Sequence, residues 1–118
     1  MTSSRLRVAR EPALALIVRI FVGSVMERWE VSEPARGDLR LAASELFSGA
    51  VEAGEGDPVT FELASDDTQI ELRAHGVLLH EAAQAGDDGS SGRFDLIRAL
   101  FPDAEIGETV RIRIPVSV

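Results

Sequence analysis

The chain contains no cysteine, which rules out disulfide staples and thiolate zinc sites. Aromatic residues are few: five phenylalanines, one tryptophan and no tyrosine. That leaves no stacking platform of the kind single-stranded nucleic acid needs. Positive charge is also scarce. Twelve basic residues stand against twenty acidic ones, for a net charge of −8. Such a surface is a poor match for a phosphate backbone, and no nucleic-acid partner is expected. An acidic surface suits a basic protein partner, and it serves solubility equally well. Long apolar runs are missing too. The longest, residues 13–22, is interrupted by Arg19 and is far shorter than a bilayer span. The opening Met1-Thr2-Ser3-Ser4-Arg5 is polar and shows no signal-peptide pattern. A small secreted domain is more often stapled by disulfides, so a cytoplasmic location away from membranes is expected.

What is present has the make-up of an ordinary globule. The 118 residues are 45% hydrophobic and 27% charged, enough for one domain over residues 1–118 with a respectable core. Residues 6–9 alternate weakly and predict a short first strand. Pro12, tolerated in a first helical turn, opens a helix over residues 13–29. Its apolar positions Leu14, Ile17, Val18, Phe21, Val22, Val25 and Met26 recur at helical spacing, with Arg19 and Glu27 on the other face. Trp29, at the end of that helix, is expected to anchor in the core. A second helix over residues 34–53 carries the stripe Leu39, Ala42, Ala43, Leu46, Ala50 and Ala53. Residues 54–58 read as a stop and turn. Residues 59–64 and 69–74 alternate with period two and predict two strands joined at Asp66-Asp67. Residues 75–92 are polar and irregular. A short helix over 94–101, ended by Pro102, and strands over 104–107 and 109–115 complete the chain. With helices early and strands late, the order predicts an α+β two-layer sandwich, a mostly antiparallel sheet covered on one face by helices. The loop 75–92 is expected near the second helix.

Within that second helix, Glu45-Leu46-Phe47-Ser48-Gly49-Ala50 places a glutamate four residues ahead of a glycine–alanine pair, on one helical face. The segment resembles the signature helix of the histidine-kinase-like (Bergerat-type) ATPases, in the branch of the anti-sigma-factor serine kinases. There the pattern reads E-x-x-x-N-A; the glutamate is the general base and the asparagine holds magnesium against the nucleotide phosphates. The likeness extends along the chain. Residues 12–21, with Arg19 two before Phe21, resemble the family's first helix. Residues 69–76 resemble the strand leading to its Asp-x-Gly turn, residues 92–100 its glycine-rich turn and following helix, and residues 109–116 its last strand. Order and spacing together carry the resemblance; no single motif does.

Three devices of the family's ATP site are altered in this chain. The magnesium-binding asparagine is Gly49, which has no oxygen to offer a cation that demands oxygen ligands. The adenine-binding aspartate is Ala74, with Gly76 of the turn retained. Losing that buried acceptor is worth about 1–3 kcal/mol. The glycine turn is represented by Ser91-Gly92-Arg93-Phe94 or Gly92-Arg93-Phe94-Asp95, and in either register a side chain stands where the family keeps a glycine. Glu45 is left as a vestigial general base. Phosphoryl transfer depends on positioning and charge neutralisation, so no catalysis, no cofactor and lost or weak ATP and magnesium binding are expected from the pocket of Glu45, Gly49, Ala74, Gly76, Gly92 and Arg93.

Other residues carry less. His75 and His80, with Glu81, Asp87 and Asp88 nearby, match no metal-ligand spacing. Ser44, Ser48 and Ser90 have no base at fixed spacing. Gly89-Ser90-Ser91-Gly92 opens a helix and reads more readily as a hinge than as an anion site. The resemblance thus implies a pseudokinase-like regulator of bacterial transcription that binds a sigma factor or an anti-anti-sigma antagonist, and that pairs as a homodimer. Two alternatives stand beside it. One is an ATP-binding serine kinase with an unusual acceptor, Glu52 or Asp38, in place of the asparagine. The other is a non-catalytic subunit of a larger signalling assembly.

Overall fold

Alternation decides the sheet. In the computed structural model, which describes residues 2–29, 31–53, 56–66, 68–76 and 89–115 (of residues 89–94 the backbone alone), four strands form one sheet. These are β1 (Thr2–Val8), β2 (Val59–Ser65), β3 (Gln69–His75) and β4 (Thr109–Pro115), in the order β1-β2-β3-β4, each antiparallel to its neighbour. Val59, Phe61 and Leu63 of β2 point to the same face as Ile70, Leu72 and Ala74 of β3 and Val110, Ile112 and Ile114 of β4, and all are buried. Thr60, Glu62, Arg73, His75, Arg111 and Arg113 take the other face, because side chains alternate along a strand. The β2–β3 turn is held by Asp66. Its carboxylate accepts hydrogen bonds from the backbone N–H of Thr68 at 2.8 Å and of Gln69 at 2.9 Å, and from the Thr68 hydroxyl at 2.9 Å.

Helices cover the apolar face. A 3-10 turn (Pro12–Leu14) leads into α1 (Ala15–Arg28); α2 spans Glu33–Ala53 and α3 spans Gly89–Leu100. Val18, Val22, Val25 and Met26 of α1 and Leu39, Ala42, Ala43, Leu46, Phe47 and Ala50 of α2 join the strand residues in one core. Three alanines in the α2 stripe keep its inner face flat, so α2 lies close to its neighbours while Phe47, wholly buried, fills the volume between them. α3 packs beside α2 and contributes the buried Ile97. Trp29 is half-buried against this core. The molecule is thus an α+β domain with a four-stranded antiparallel sheet.

Several boundaries differ from the sequence expectation. β1 begins at Thr2 rather than residue 6, because β2 supplies a partner along its full length. The last helix starts at Gly89, not residue 94, so residues 89–92 are helical rather than irregular. The strand expected over 104–107 shrinks to a single pair, Glu105 with Arg111, bonded through both backbone N–H groups at 2.9 Å. Gly107 and Glu108 turn the chain straight into β4, which leaves room for no second pair. Ile17, expected inside, is 45% exposed. The first half of α1 is apolar almost all round, and a helix buries only one stripe against a sheet. The expected loop near α2 lies, over residues 77–88, outside the described residues, as does Asp67 of the hairpin turn.

Candidate functional site

Glu45 and Gly49 sit one turn apart on α2, both half-buried. Ala74 and Gly76 lie at the end of β3, and Gly76 has a positive φ of 84° that favours glycine. A residue the motifs do not mention links the helix and the strand that carry them. Arg10, between β1 and the 3-10 turn, extends its guanidinium across the end of the sheet. Nη1 donates to the Ala50 carbonyl at 3.1 Å, Nη2 to the Gly76 carbonyl at 2.6 Å and Nε to the Asp57 carbonyl at 2.9 Å. One side chain thereby ties the C-terminal part of α2, the entry to β2 and the exit of β3. Gly56 makes room for it: a Cβ there would stand 3.0 Å from Arg10 Nε. Gly92 and Arg93 fall in the first turns of α3, on the helix that packs beside α2.

At this end the described side chains at two of the expected positions are apolar or absent. Gly49 presents no side-chain oxygen, and Ala74 is a wholly buried methyl group within the hydrophobic core. The two proposed substitutes for the asparagine both lie on α2. Asp38 borders a different hollow of about 420 Å³, with Pro34, Phe101 and Pro115, and Glu52 is exposed near the end of α2. Among the described residues no group of three His, Asp or Glu side chains is arranged to hold a metal ion. His80, Glu81, Asp87 and Asp88 lie outside them.

Elsewhere among the described residues a groove of about 650 Å³ lies between the outward faces of α1 and α2. Leu16 and Ile20 line it from α1 and Leu41 from α2, with exposures of 56%, 55% and 42%. Gly23, Ser24, Gly37 and Ser44 keep its floor low, and Arg19, Arg36, Arg40, Glu27 and Glu33 rim it. Residues 16, 19–20, 23–24 and 27 repeat at helical spacing, as do 33, 36–37, 40–41 and 44, so each helix presents a second stripe besides its buried one. That doubled periodicity on α1 was the available signal for the groove.

The open face of the sheet carries a network of charged side chains. Glu62 accepts from Arg5 at 3.1 Å and from His75 Nε2 at 2.7 Å, while His75 Nδ1 lies 3.0 Å from the Thr109 hydroxyl. The His75 hydrogen bond lowers the Glu62 pKa, burial opposes it, and Arg5 adds to the lowering. Burial pushes the Glu71 carboxyl up, but hydrogen bonds from Arg73 and from Arg113, the latter at 2.6 Å, more than reverse this and leave it below its ordinary value. Glu105 pairs with Arg113 as well.

No protein-family model matches this sequence, and no curated protein matches it. Among the described residues no helix is long and apolar enough to cross a membrane.

Proposed function

We propose that this chain is a non-catalytic regulatory domain of the anti-sigma-factor type, a histidine-kinase-like ATPase fold whose nucleotide site has degenerated. It controls transcription by sequestering a protein partner, a sigma factor or its anti-anti-sigma antagonist. The observation that carries this reading is the groove between α1 and α2. The four large apolar side chains that stand exposed among the described residues, Leu16, Ile17, Ile20 and Leu41, all come from these two helices, and three of them line the groove. Apolar side chains gathered at one groove with a polar rim mark a docking surface. The altered positions Gly49 and Ala74 support the absence of catalysis.

Calorimetry with ATP and ADP, each with and without magnesium, tests the first half. The reading expects no saturable heat, and micromolar binding would overturn it. Pairwise titration with purified sigma factors and antagonists tests the second. Leu16→Ser with Ile20→Ser removes exposed rather than core side chains, so stability should change by less than about 0.5 kcal/mol. Partner affinity should fall by about a hundredfold, the effect of losing central apolar anchors. An affinity that the double variant leaves unchanged would move the docking surface away from the groove.

A further inference from the structure

We infer that the free edge of β1 takes up an extended acidic segment of another protein as a fifth strand. This surface is separate from the α1/α2 groove and does not rest on the reading of that groove. The inference begins with the edge itself. β1 pairs with β2 residue for residue from Thr2↔Ser65 to Val8↔Val59, with no bulge and no proline. Among the described residues nothing pairs with its other side. The opposite edge differs: β4 is bridged by Glu105 at Arg111 and ends in Pro115. Long, flat, uncovered edges template strand addition, and proteins ordinarily cover, kink or interrupt them.

The side chains on that edge say what kind of strand it would accept. Arg5 and Arg7 point to the open face, and the pairing register continues their rows across the sheet. Arg5 stands beside Glu62, then Arg73, then Arg111; Arg7 stands beside Thr60, then His75, then Thr109. With Arg113 the face carries five arginines, against Glu62, Glu71 and, at the far edge beside β4, Glu105, in a chain of net charge −8. Beside β1 the carboxylate lies beneath the cation: the Arg5 side chain is 70% exposed and that of Glu62 19%. Arg7 is exposed and pairs with no carboxylate among the described residues. The chain has twelve arginines and no lysine, so every cation here is a planar fork suited to carboxylates.

Charge then selects the occupant. A second copy of β1, paired antiparallel about Leu6, would set Arg5 against Arg7 twice, and like charges across a strand pair are destabilising. A nucleic acid would extend past this local patch onto an otherwise acidic surface, and the face offers no aromatic ring for a base. A strand with carboxylates at alternate positions sets them beside Arg5 and Arg7. Its intervening apolar side chains turn inward beside Leu6, which β2 and the helices leave half-buried.

The test uses the full chain and a fluorescein-labelled heptapeptide alternating Glu with Val, followed by anisotropy. Two N-methylated forms, one methylated at every Val and one at every Glu, each block the hydrogen bonds of one strand edge. We expect saturable binding that weakens at high salt. Only one N-methylated form should lose affinity, by about tenfold or more, because a single peptide edge faces β1. Amide exchange should slow in β1. Arg7→Glu, checked for intact fold by circular dichroism, should weaken binding by about tenfold, and the milder Arg7→Gln by less. The inference is overturned by absent saturable binding, or by equal binding of both N-methylated forms, which would mean charge attraction alone. It is equally overturned if a Lys/Val heptapeptide or a short oligothymidylate binds as tightly, or if the free chain already dimerises through β1.

Discussion

Removing Arg10 should unfasten the end of the sheet from α2. In Arg10→Ala the carbonyls of Ala50, Asp57 and Gly76 lose their shared donor. The bonds to Ala50 and Gly76 are part-buried and the bond to Asp57 is exposed. At about 1.5 kcal/mol for each part-buried charge-assisted bond and about 0.5 for the exposed one, the gross loss is about 3.5 kcal/mol. Freeing a long side chain recovers about 1.5 kcal/mol of rotamer entropy. The net destabilisation is about 2 kcal/mol, a fall in Tm of roughly 8 °C for a chain of this size. Arg10→Lys keeps the charge, but a point donor cannot bridge three separated carbonyls, so it should recover less than about half of the loss. Urea denaturation followed by circular dichroism and by fluorescence of Trp29, the chain's single tryptophan, gives both values. A loss below about 0.5 kcal/mol, or complete rescue by lysine, would refute the clamp.

The same contact predicts a coupling. Gly56→Ala should destabilise the wild-type chain by displacing Arg10 but be near neutral in the Arg10→Ala background, and a double-mutant cycle showing simple additivity would contradict this. The acid limb of stability should depend on the sheet-face carboxylates. Glu62 and Glu71 have native pKa values below the ordinary 4.5, so the stability they contribute is full above that pH and is lost as pH falls through the lowered values. Glu71→Gln should therefore weaken the fold at neutral pH and flatten its decline below pH 4.5, and an unchanged slope in acid denaturation would count against it. Gly49→Asn with Ala74→Asp should not create tight ATP binding. The aspartate would enter the core at a wholly buried position, costing about 2–4 kcal/mol. Tight magnesium-dependent ATP binding by a stable double variant would overturn the reading of a degenerate pocket.

Much of the candidate site was legible as positions but not as an arrangement. Glu45 and Gly49 share a helical face by spacing alone, and Ala74 and Gly76 close a strand whose alternation is plain. The link that Arg10 makes between α2 and the exit of β3 had no signature, because its three acceptors are backbone carbonyls, which every residue has. The groove was half-legible. The spacing sets Arg19 and Glu27 away from the core, yet it also sets Ile17 inside with its neighbours, since an apolar residue on an apolar helix gives no hint of which stripe meets the sheet.

By itself the sequence determined what each segment would be where one periodicity dominates. β2, β3 and β4 alternate because a pleated strand sends successive side chains to opposite faces, and the Leu39 to Ala50 stripe of α2 follows from 3.6 residues per turn. Those rules act within a few residues and need no partner. The tertiary structure decided the rest. Thr2, Ser3 and Ser4 are strand because Ser65, Ala64 and Leu63 lie opposite them. α1 turns Leu16 and Ile20 outward because Val18, Val22 and Met26 fill the space over the sheet. Arg10 reaches residues 40, 47 and 66 positions away. Contacts of that kind depend on how layers pack against one another, and no local pattern in the chain encodes the distance between them.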